Sequence, residues 1–308
     1  MKVIFVGDPH FDSVTPVSRL DDYRAVSLAK LNEILDIAIK NDVSQVIFTG
    51  DFFDKLDQSL IYLHELVNIL NQFKQHSIKV KTLVGNHDLK YNSYDYFDTT
   101  TLSLLLKTGV VDRLHHILDE KEHVNIYGLS FNQLAHLEEI AFSPNYYNIL
   151  VMHYAVNDTV PGESLSTKNE LKGFNMVISG HDHKYYPPEV IDGVTVLRPG
   201  SMVRRTKEAY NLTRSVVVYL VNTESKSYTE IKLTSAKPAE EVFKYEAITG
   251  SLPSLHDSDF SKLFSEDFFK SETTGLKEII EELPETITKE SKLEIIKYLE
   301  SQGLTFKD

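Results

Sequence analysis

Five times within its first 183 residues, this chain breaks off a short apolar run into a cluster of carboxylates, amides or imidazoles. Lys2 to Val6 stops at Gly7-Asp8-Pro9-His10, and Val43 to Thr49 stops at Gly50-Asp51-Phe52-Phe53-Asp54. Lys79 to Val84 stops at Gly85-Asn86-His87-Asp88, Tyr147 to Met152 at His153, and Phe174 to Ser179 at Gly180-His181-Asp182-His183. Apolar runs of this length, without polar alternation, read as strands buried on both faces. Between the first of them lie two amphipathic helical patterns. Residues 21–40 carry Leu28, Leu31, Leu35, Ala38 and Ile39; residues 59–76 carry Leu63, Leu66, Val67, Leu70 and Phe73. The chain is therefore expected to be α/β (α+β). Groups just past a strand end, after a glycine, stand where open α/β sheets put their ligands.

Taken singly, most of these motifs have an ordinary explanation. Asp8-Pro9 reads as a turn, Asp51 as a cap or turn residue, and His181 and His183 as solvated loop histidines. Asp54 reads as a supporting residue. The tetrapeptide Gly85-Asn86-His87-Asp88 is harder to read as a turn alone, because it offers an amide oxygen, an imidazole and a carboxylate at one strand end. Asp8 with His10, and His181 with His183, share the i, i+2 spacing that points both side chains the same way on an extended backbone. Collected, Asp8, His10, Asp51, Asn86, His87, His153, His181 and His183 predict one cluster at one sheet edge.

That donor set exceeds what one zinc site uses. Two divalent ions about 3.5–4 Å apart, sharing one carboxylate, fit better. Mixed carboxylate, amide and imidazole ligands suit Mn²⁺, Fe²⁺ or Zn²⁺. Such a pair clamps a phosphate ester and activates water for in-line displacement. The leaving oxygen still needs a proton or a hydrogen bond. His87 is the candidate for that task, because its neighbour Asn86 can take the metal. The remaining histidines, His64, His76, His115, His116, His123 and His136, lack this spacing and are assigned to the surface.

The rest of the sequence sets bounds. There is no cysteine, so disulfides and thiolate sites are excluded. No apolar run has membrane-spanning length, and Met1 leads directly into a strand rather than a signal peptide, so a cytoplasmic protein is expected, with no membrane partner. The net charge of −13 makes the chain a poor free-standing binder of nucleic acid, unless a local basic patch, metal ions or a partner hold it. Lys184, Arg198, Arg204, Arg205, Lys207 and Arg214 do fall close after the last motif. They are either phosphate contacts or ordinary surface and structural charge.

Residues 157–172 read as a loop and a short helix, Val194 to Leu197 as a strand, and residues 215–221 and 228–233 as a hairpin. Composition shifts after Thr234. Residues 241–248 suggest one more strand, and the acidic stretch beyond Gly250 suggests short amphipathic helices that must dock on the body, a second copy or a partner.

The set D-x-H, G-D, G-N-H-D, H and G-H-x-H, in this order, resembles the calcineurin-like metallophosphoesterase superfamily over residues 1–235. The resemblance implies a two-sheet β-sandwich flanked by helices, the metallophosphoesterase fold, with the site at the strand ends. It implies that Asp8, His10 and His183 hold one ion, that Asn86, His153 and His181 hold the other, that Asp51 bridges them, and that His87 assists the leaving group. Gly50-Asp51-Phe52-Phe53-Asp54, and Pro199-Gly200-Ser201 followed by Arg204-Arg205-Thr206, look like the SbcD-type nuclease branch. That branch implies a DNA exo- or endonuclease with two ions, foremost Mn²⁺, a homodimer, and an SbcC-type ATPase partner in a bacterial or phage-infected cell. Lys184, Arg198, Arg204 and Arg205 would then be the DNA phosphate contacts. Residues 1–235 would form the catalytic domain. Residues 236–308 would form a small C-terminal region, a reduced cap and/or partner-binding helices, closer to the short phage-encoded members. The alternative within the superfamily is a small-molecule phosphodiesterase or phosphatase. A binding subunit with a lost or structural metal site is disfavoured by the intact motifs.

Overall fold

The computed structural model describes residues 1–140, 142 and 145–243. Its strands and helices run, in chain order, β1 (Lys2–Val6), α1 (Tyr23–Lys40), β2 (Gln45–Phe48), α2 (Leu60–Gln75), β3 (Lys79–Thr82), α3 (Thr101–Thr108), β4 (Asp112–Arg113), β5 (His116–Asp119), β6 (Val124–Leu129), α4 (Ala135–Glu138), β7 (Tyr147–Met152), β8 (Ala155–Val156), β9 (Ser164–Leu165), β10 (Met176–Ser179), β11 (Tyr186–Ile191), β12 (Val194–Arg198), α5 (Ala209–Thr213), β13 (Val217–Asn222), β14 (Ser227–Lys232) and α6 (Ala239–Val242). The two long helices start where short polar side chains can cap them. Asp22 accepts from Ala25 N at 3.2 Å, and Ser59 accepts from Tyr62 N at 3.4 Å.

Two six-stranded sheets carry the fold, in the orders β14-β13-β1-β2-β3-β4 and β11-β12-β10-β7-β6-β5. In the first, β1, β2, β3 and β4 run parallel; in the second, β6, β7, β10 and β12 do. The alternation of strand side chains divides the core in two. Val3, Phe5, Ile47, Ile149, Val151, Ile178 and Tyr219 fill one buried cluster shared by both sheets. Ile4, Val6, Val46 and Phe48 point the other way, into a cluster with Leu31 and Leu35 of α1 and Leu66 and Phe73 of α2. Strands buried on both faces have no polar face to show, hence their unbroken apolar runs. The result is a two-sheet sandwich flanked by helices.

Several elements depart from the sequence reading. β11 contains Pro187 and Pro188, which argue against a strand, yet it lies at a sheet edge where missing N–H donors cost no ladder bond. Its register shifts between Tyr186 and Glu189. β5 is also an edge strand, with an alternating half-exposed pattern too short to stand out. Residues 157–172 hold no helix; β9 pairs in parallel with β8, and turns make up the rest. Where a strand is expected from residue 241, the helical turn α6 takes residues 241 and 242, and Phe243 then makes a single bridge to Arg19. The rest of the expected strand and the expected C-terminal helices fall outside the described residues. No described helix is long and apolar enough to cross a membrane.

Candidate metal centre

The parallel strands of both sheets end at one edge of the sandwich, and the five motifs meet there. β1, β2 and β3 deliver Asp8, His10, Asp51 and Asn86; β7 and β10 deliver His153, His181 and His183. Each chain turns sharply on leaving its strand. His10, Asp51 and His181 take the left-handed backbone conformation, with φ of 44°, 44° and 73°. Non-glycine residues pay roughly 1–3 kcal/mol for this, and such strain persists where surrounding structure enforces it. The glycines before the motifs make room. A Cβ on Gly180 would lie 2.5 Å from Asp8 Oδ1 and 2.6 Å from Thr49 Oγ1.

The donor atoms of Asp8, His10, Asp51 and His183 all lie within 4.8 Å of one another. His10 Nε2 and His183 Nε2 are 2.9 Å apart, and His10 Nε2 is 3.6 Å from Asp51 Oδ2. On the other side of Asp51, His153 Nε2 stands 3.3 Å from Oδ1. His153 Nε2 and His181 Nδ1 each approach Asn86 Oδ1 to 3.0 Å. All seven predicted ligands are thus brought together, with Asp51 between two groups. Asp8, His10, Asp51 and His153 are almost wholly buried.

This donor set fits divalent cations on two counts. Asp51 Oδ2 is buried without a hydrogen-bond partner, a costly state for a carboxylate oxygen that a cation would relieve. The nitrogens and oxygens that converge are those that suit borderline divalent metals. The charge state of His10 already suits a ligand, whereas His153 would release a proton on binding an ion. Burial and the neighbouring His183 push the His10 imidazole down to about 4, so it is neutral and holds a lone pair. Burial alone would push His153 down as well, but the carboxylates of Asp51 and Asp8 outweigh it and raise it to about 9. The same negative field attracts a cation. Burial opposes ionisation of Asp51, yet His153 and its neighbours hold that carboxyl well below the usual range.

His87 lies beside the cluster. Its Nδ1 is 3.0 Å from the backbone carbonyl of Asp54 and 3.4 Å from Asp54 Oδ1. Its own N–H donates to Asp51 Oδ1 at 2.9 Å, which ties the Asn86-His87 turn to Asp51. Asp54 also faces His10 Nδ1 at 3.4 Å and pairs with the Arg205 guanidinium. Burial works against its ionisation, but His10 and Arg205 keep the carboxyl below its ordinary value. Asp88 plays a different part. It accepts from the N–H groups of Phe52, Phe53 and Gly85 at 2.9–3.1 Å and so clamps two motif loops together. Burial and the charge of Asp51 raise it to about 7.

The basic residues separate. Lys184 is exposed, with its Nζ 6.0 Å from the Tyr210 ring centroid, and Arg205 is part-exposed beside Asp54. Arg198 and Arg204, expected as phosphate contacts, are buried with internal partners. Arg198 pairs with Glu189 and lies 4.0 Å over the Tyr186 ring. Arg204 donates to the carbonyls of Asn211, Lys237 and Arg214 at 2.8–2.9 Å. Guanidinium groups committed in this way are not available to a ligand. The six histidines assigned to the surface are all exposed. One neighbour of the cluster has no counterpart among the sequence motifs: Glu163, whose carboxylate bonds His181 Nε2. It sits in a polar loop, where no spacing marks it.

Over 217 residues, 61% of this chain and 59% of the other, the sequence is 22% identical to the DNA double-strand break repair protein Mre11 of Nanoarchaeum equitans. Over 303 residues, 93% of this chain and 45% of the other, it is 24% identical to the protein of that name from Methanosarcina acetivorans. The chain therefore spans only about half the length of the curated relatives it matches. A solved dimetal phosphatase from Danio rerio aligns with 71% of this chain and 92% of its own, at 12% identity and a TM-score of 0.47. The family model described as calcineurin-like phosphoesterase matches residues 1–185. That match takes in all five strand-end motifs, and the chain belongs to the calcineurin-like phosphoesterase family of hydrolases.

Proposed function

We propose that this chain is a two-metal phosphodiesterase that cleaves DNA, the nuclease subunit of an SbcCD-type repair or recombination complex. The observation that carries the reading is the convergence of Asp8, His10 and His183 on one side of Asp51, and of Asn86, His153 and His181 on the other. Each group would hold one divalent ion, foremost Mn²⁺, with Asp51 shared. When bound, such a pair polarises the phosphate and supplies a nucleophile at neutral pH.

The protein's own groups do the rest. His87, outside both ligand sets, would give its proton to the leaving oxygen. Its Nδ1 is engaged by the Asp54 carbonyl, so that proton sits on Nε2 when the ring is charged. Asp51 Oδ1 holds the His87 backbone in place, and Asp54 holds Arg205. Lys184 and Arg205 would meet the phosphate backbone at the edge of the site.

DNA as substrate is favoured by the relatives named for double-strand break repair and by the Asp54–Arg205 pair, which sets a cation beside the cluster in an otherwise acidic chain. The net charge of −13 favours the second reading, a nucleotide phosphodiesterase or phosphatase, or else a partner that delivers the DNA. An SbcC-type ATPase and a second copy of this chain are the partners proposed. Residues from about 236 onward are proposed as the reduced cap or docking element.

The test is hydrolysis of linear double-stranded DNA beside bis-p-nitrophenyl phosphate, with Mn²⁺ and with chelator, for wild type and His87→Ala. Mn²⁺-dependent DNA cleavage that is lost in the variant supports the nuclease. Turnover of the small diester alone moves the substrate toward nucleotides, unless adding the ATPase restores DNA cleavage.

A further inference from the structure

His153 and His181 approach the same oxygen, Asn86 Oδ1, but with different ring nitrogens. His153 uses Nε2, and its Nδ1 faces the carbonyl of Thr49 at 2.9 Å. His181 uses Nδ1, and its Nε2 faces the carboxylate of Glu163. A neutral imidazole has one N–H and one lone pair, and the partner of one nitrogen decides which is which. Carbonyl and carboxylate oxygens only accept. Asn86 Oδ1 does so too, but as a proposed ligand it would face the ion together with both rings, so the one proton of each neutral ring belongs on the nitrogen facing Thr49 O or Glu163. The other nitrogen then presents its lone pair to the cluster. For His153 the backbone enforces this choice. For His181 a side chain does.

The geometry points to Glu163 as a positioning residue of the metal centre. It accepts from His181 Nε2–H and thereby fixes both the tautomer and the orientation in which Nδ1 meets the ion. This deepens the reading above and rests on His181 being a ligand. The other contacts of His181 do not do the same work. Its backbone N–H donates to Asp8 Oδ2 at 2.8 Å, which holds the chain but not the ring. The Phe131 ring lies 5.7 Å away, and packing against a face cannot tell a nitrogen from a carbon.

Glu163 stands on a built support. It closes the loop between β8 and β9, where Ala155 N donates to Glu163 O and Asn157 N to Leu165 O, each at 3.0 Å. Ser164 Oγ ties the loop from within, accepting from Val160 N at 3.1 Å and donating to Val160 O at 2.7 Å. The Glu163 side chain is 41% exposed while the His181 ring is 10% exposed, so the carboxylate can be changed without opening the core.

The metal-free 308-residue chain is titrated with Mn²⁺ by calorimetry, with free Mn²⁺ followed by electron paramagnetic resonance, for wild type, Glu163→Ala and Glu163→Gln. Circular dichroism checks each fold. Removing an outer partner of a metal-bound histidine weakens binding about 10–100-fold. Glu163→Ala is expected to lose that much at one Mn²⁺ equivalent and nothing at the other. Glu163→Gln, whose amide oxygen still accepts, is expected to recover most of it. Unchanged affinity in Glu163→Ala, an equal loss at both equivalents, or a glutamine variant as weak as the alanine one would overturn the proposal. A wild type that binds no Mn²⁺ would instead sink the metal-centre reading, and this one with it.

Discussion

His87 Nδ1 meets the backbone carbonyl of Asp54 at 3.0 Å, and a carbonyl can only accept. The ring's tautomer is thereby set by main chain, and Nε2 is left for the substrate. Truncation of His87 should therefore remove a proton donor without touching a ligand. His87→Ala is expected to lower turnover by about 10²–10⁴-fold. Its Mn²⁺ affinity, read by calorimetry, should match wild type. A parallel loss of metal binding would place His87 among the ligands instead.

Removal of metal should show in stability as well as in activity. Asp51 Oδ2 is buried and unpartnered in the protein alone, so a bound ion relieves a cost already present in the fold. Chelator should abolish hydrolysis. Restored Mn²⁺ at about 100 times its dissociation constant should add roughly 2.7 kcal/mol, seen as a rise of several degrees in Tm. Asp51→Ala should show no such rise.

The basic residues should divide by burial. Lys184→Ala and Arg205→Ala are expected each to flatten the salt dependence of DNA binding by about one unit of slope. Arg205→Ala should also slow the small diester, because Arg205 pairs with the Asp54 that faces His87. Arg204→Ala should leave the salt slope alone and cost about 2 kcal/mol or more in urea unfolding, since three backbone carbonyls lose their donor.

Glu33 on α1 gathers the segment after β14. Its carboxylate accepts from Thr234 N and Oγ1 at 2.6 Å and from Ser235 N and Oγ at 2.9 and 2.5 Å. Burial is the largest single influence and opposes the charge, but the four bonds together lower the carboxyl below its ordinary value of 4.5. The folded state thus binds the proton more weakly than the unfolded state. The added stability is present above about pH 4.5 and fades as pH falls through the lower folded value. Glu33→Gln should cost about 1 kcal/mol at pH 7, kept modest by exposure to solvent. The difference from wild type should vanish in acid.

The candidate centre was legible because each proposed ligand is local to a strand end. Asp8, Asp51, Asn86, His153 and His181 all follow an apolar run by a few residues, so sequence position and spatial position coincide. The periodic spacing of apolar residues likewise marked α1 and α2. It did not reach features that depend on distant neighbours. β11 was not legible as an element at all: Pro187 and Pro188 mask a strand that its edge position permits. Arg198 and Arg204 look like surface charge until Glu189, Tyr186 and three carbonyls are found around them. Glu163 meets His181 through a loop whose shape no residue pattern announces.

The two sheets contribute to one cluster, and the partners are far apart along the chain: His10 meets His183 across 173 residues, and Asn86 meets His181 across 95. Contacts of such separation close large loops and form late in folding. An ion held there cannot assist the early steps, because its ligands are not yet assembled. It acts on the reverse journey. Where unfolding parts the sheets, a cation bound by both would raise that barrier and lengthen the lifetime of the native state more than it would speed the reaching of it.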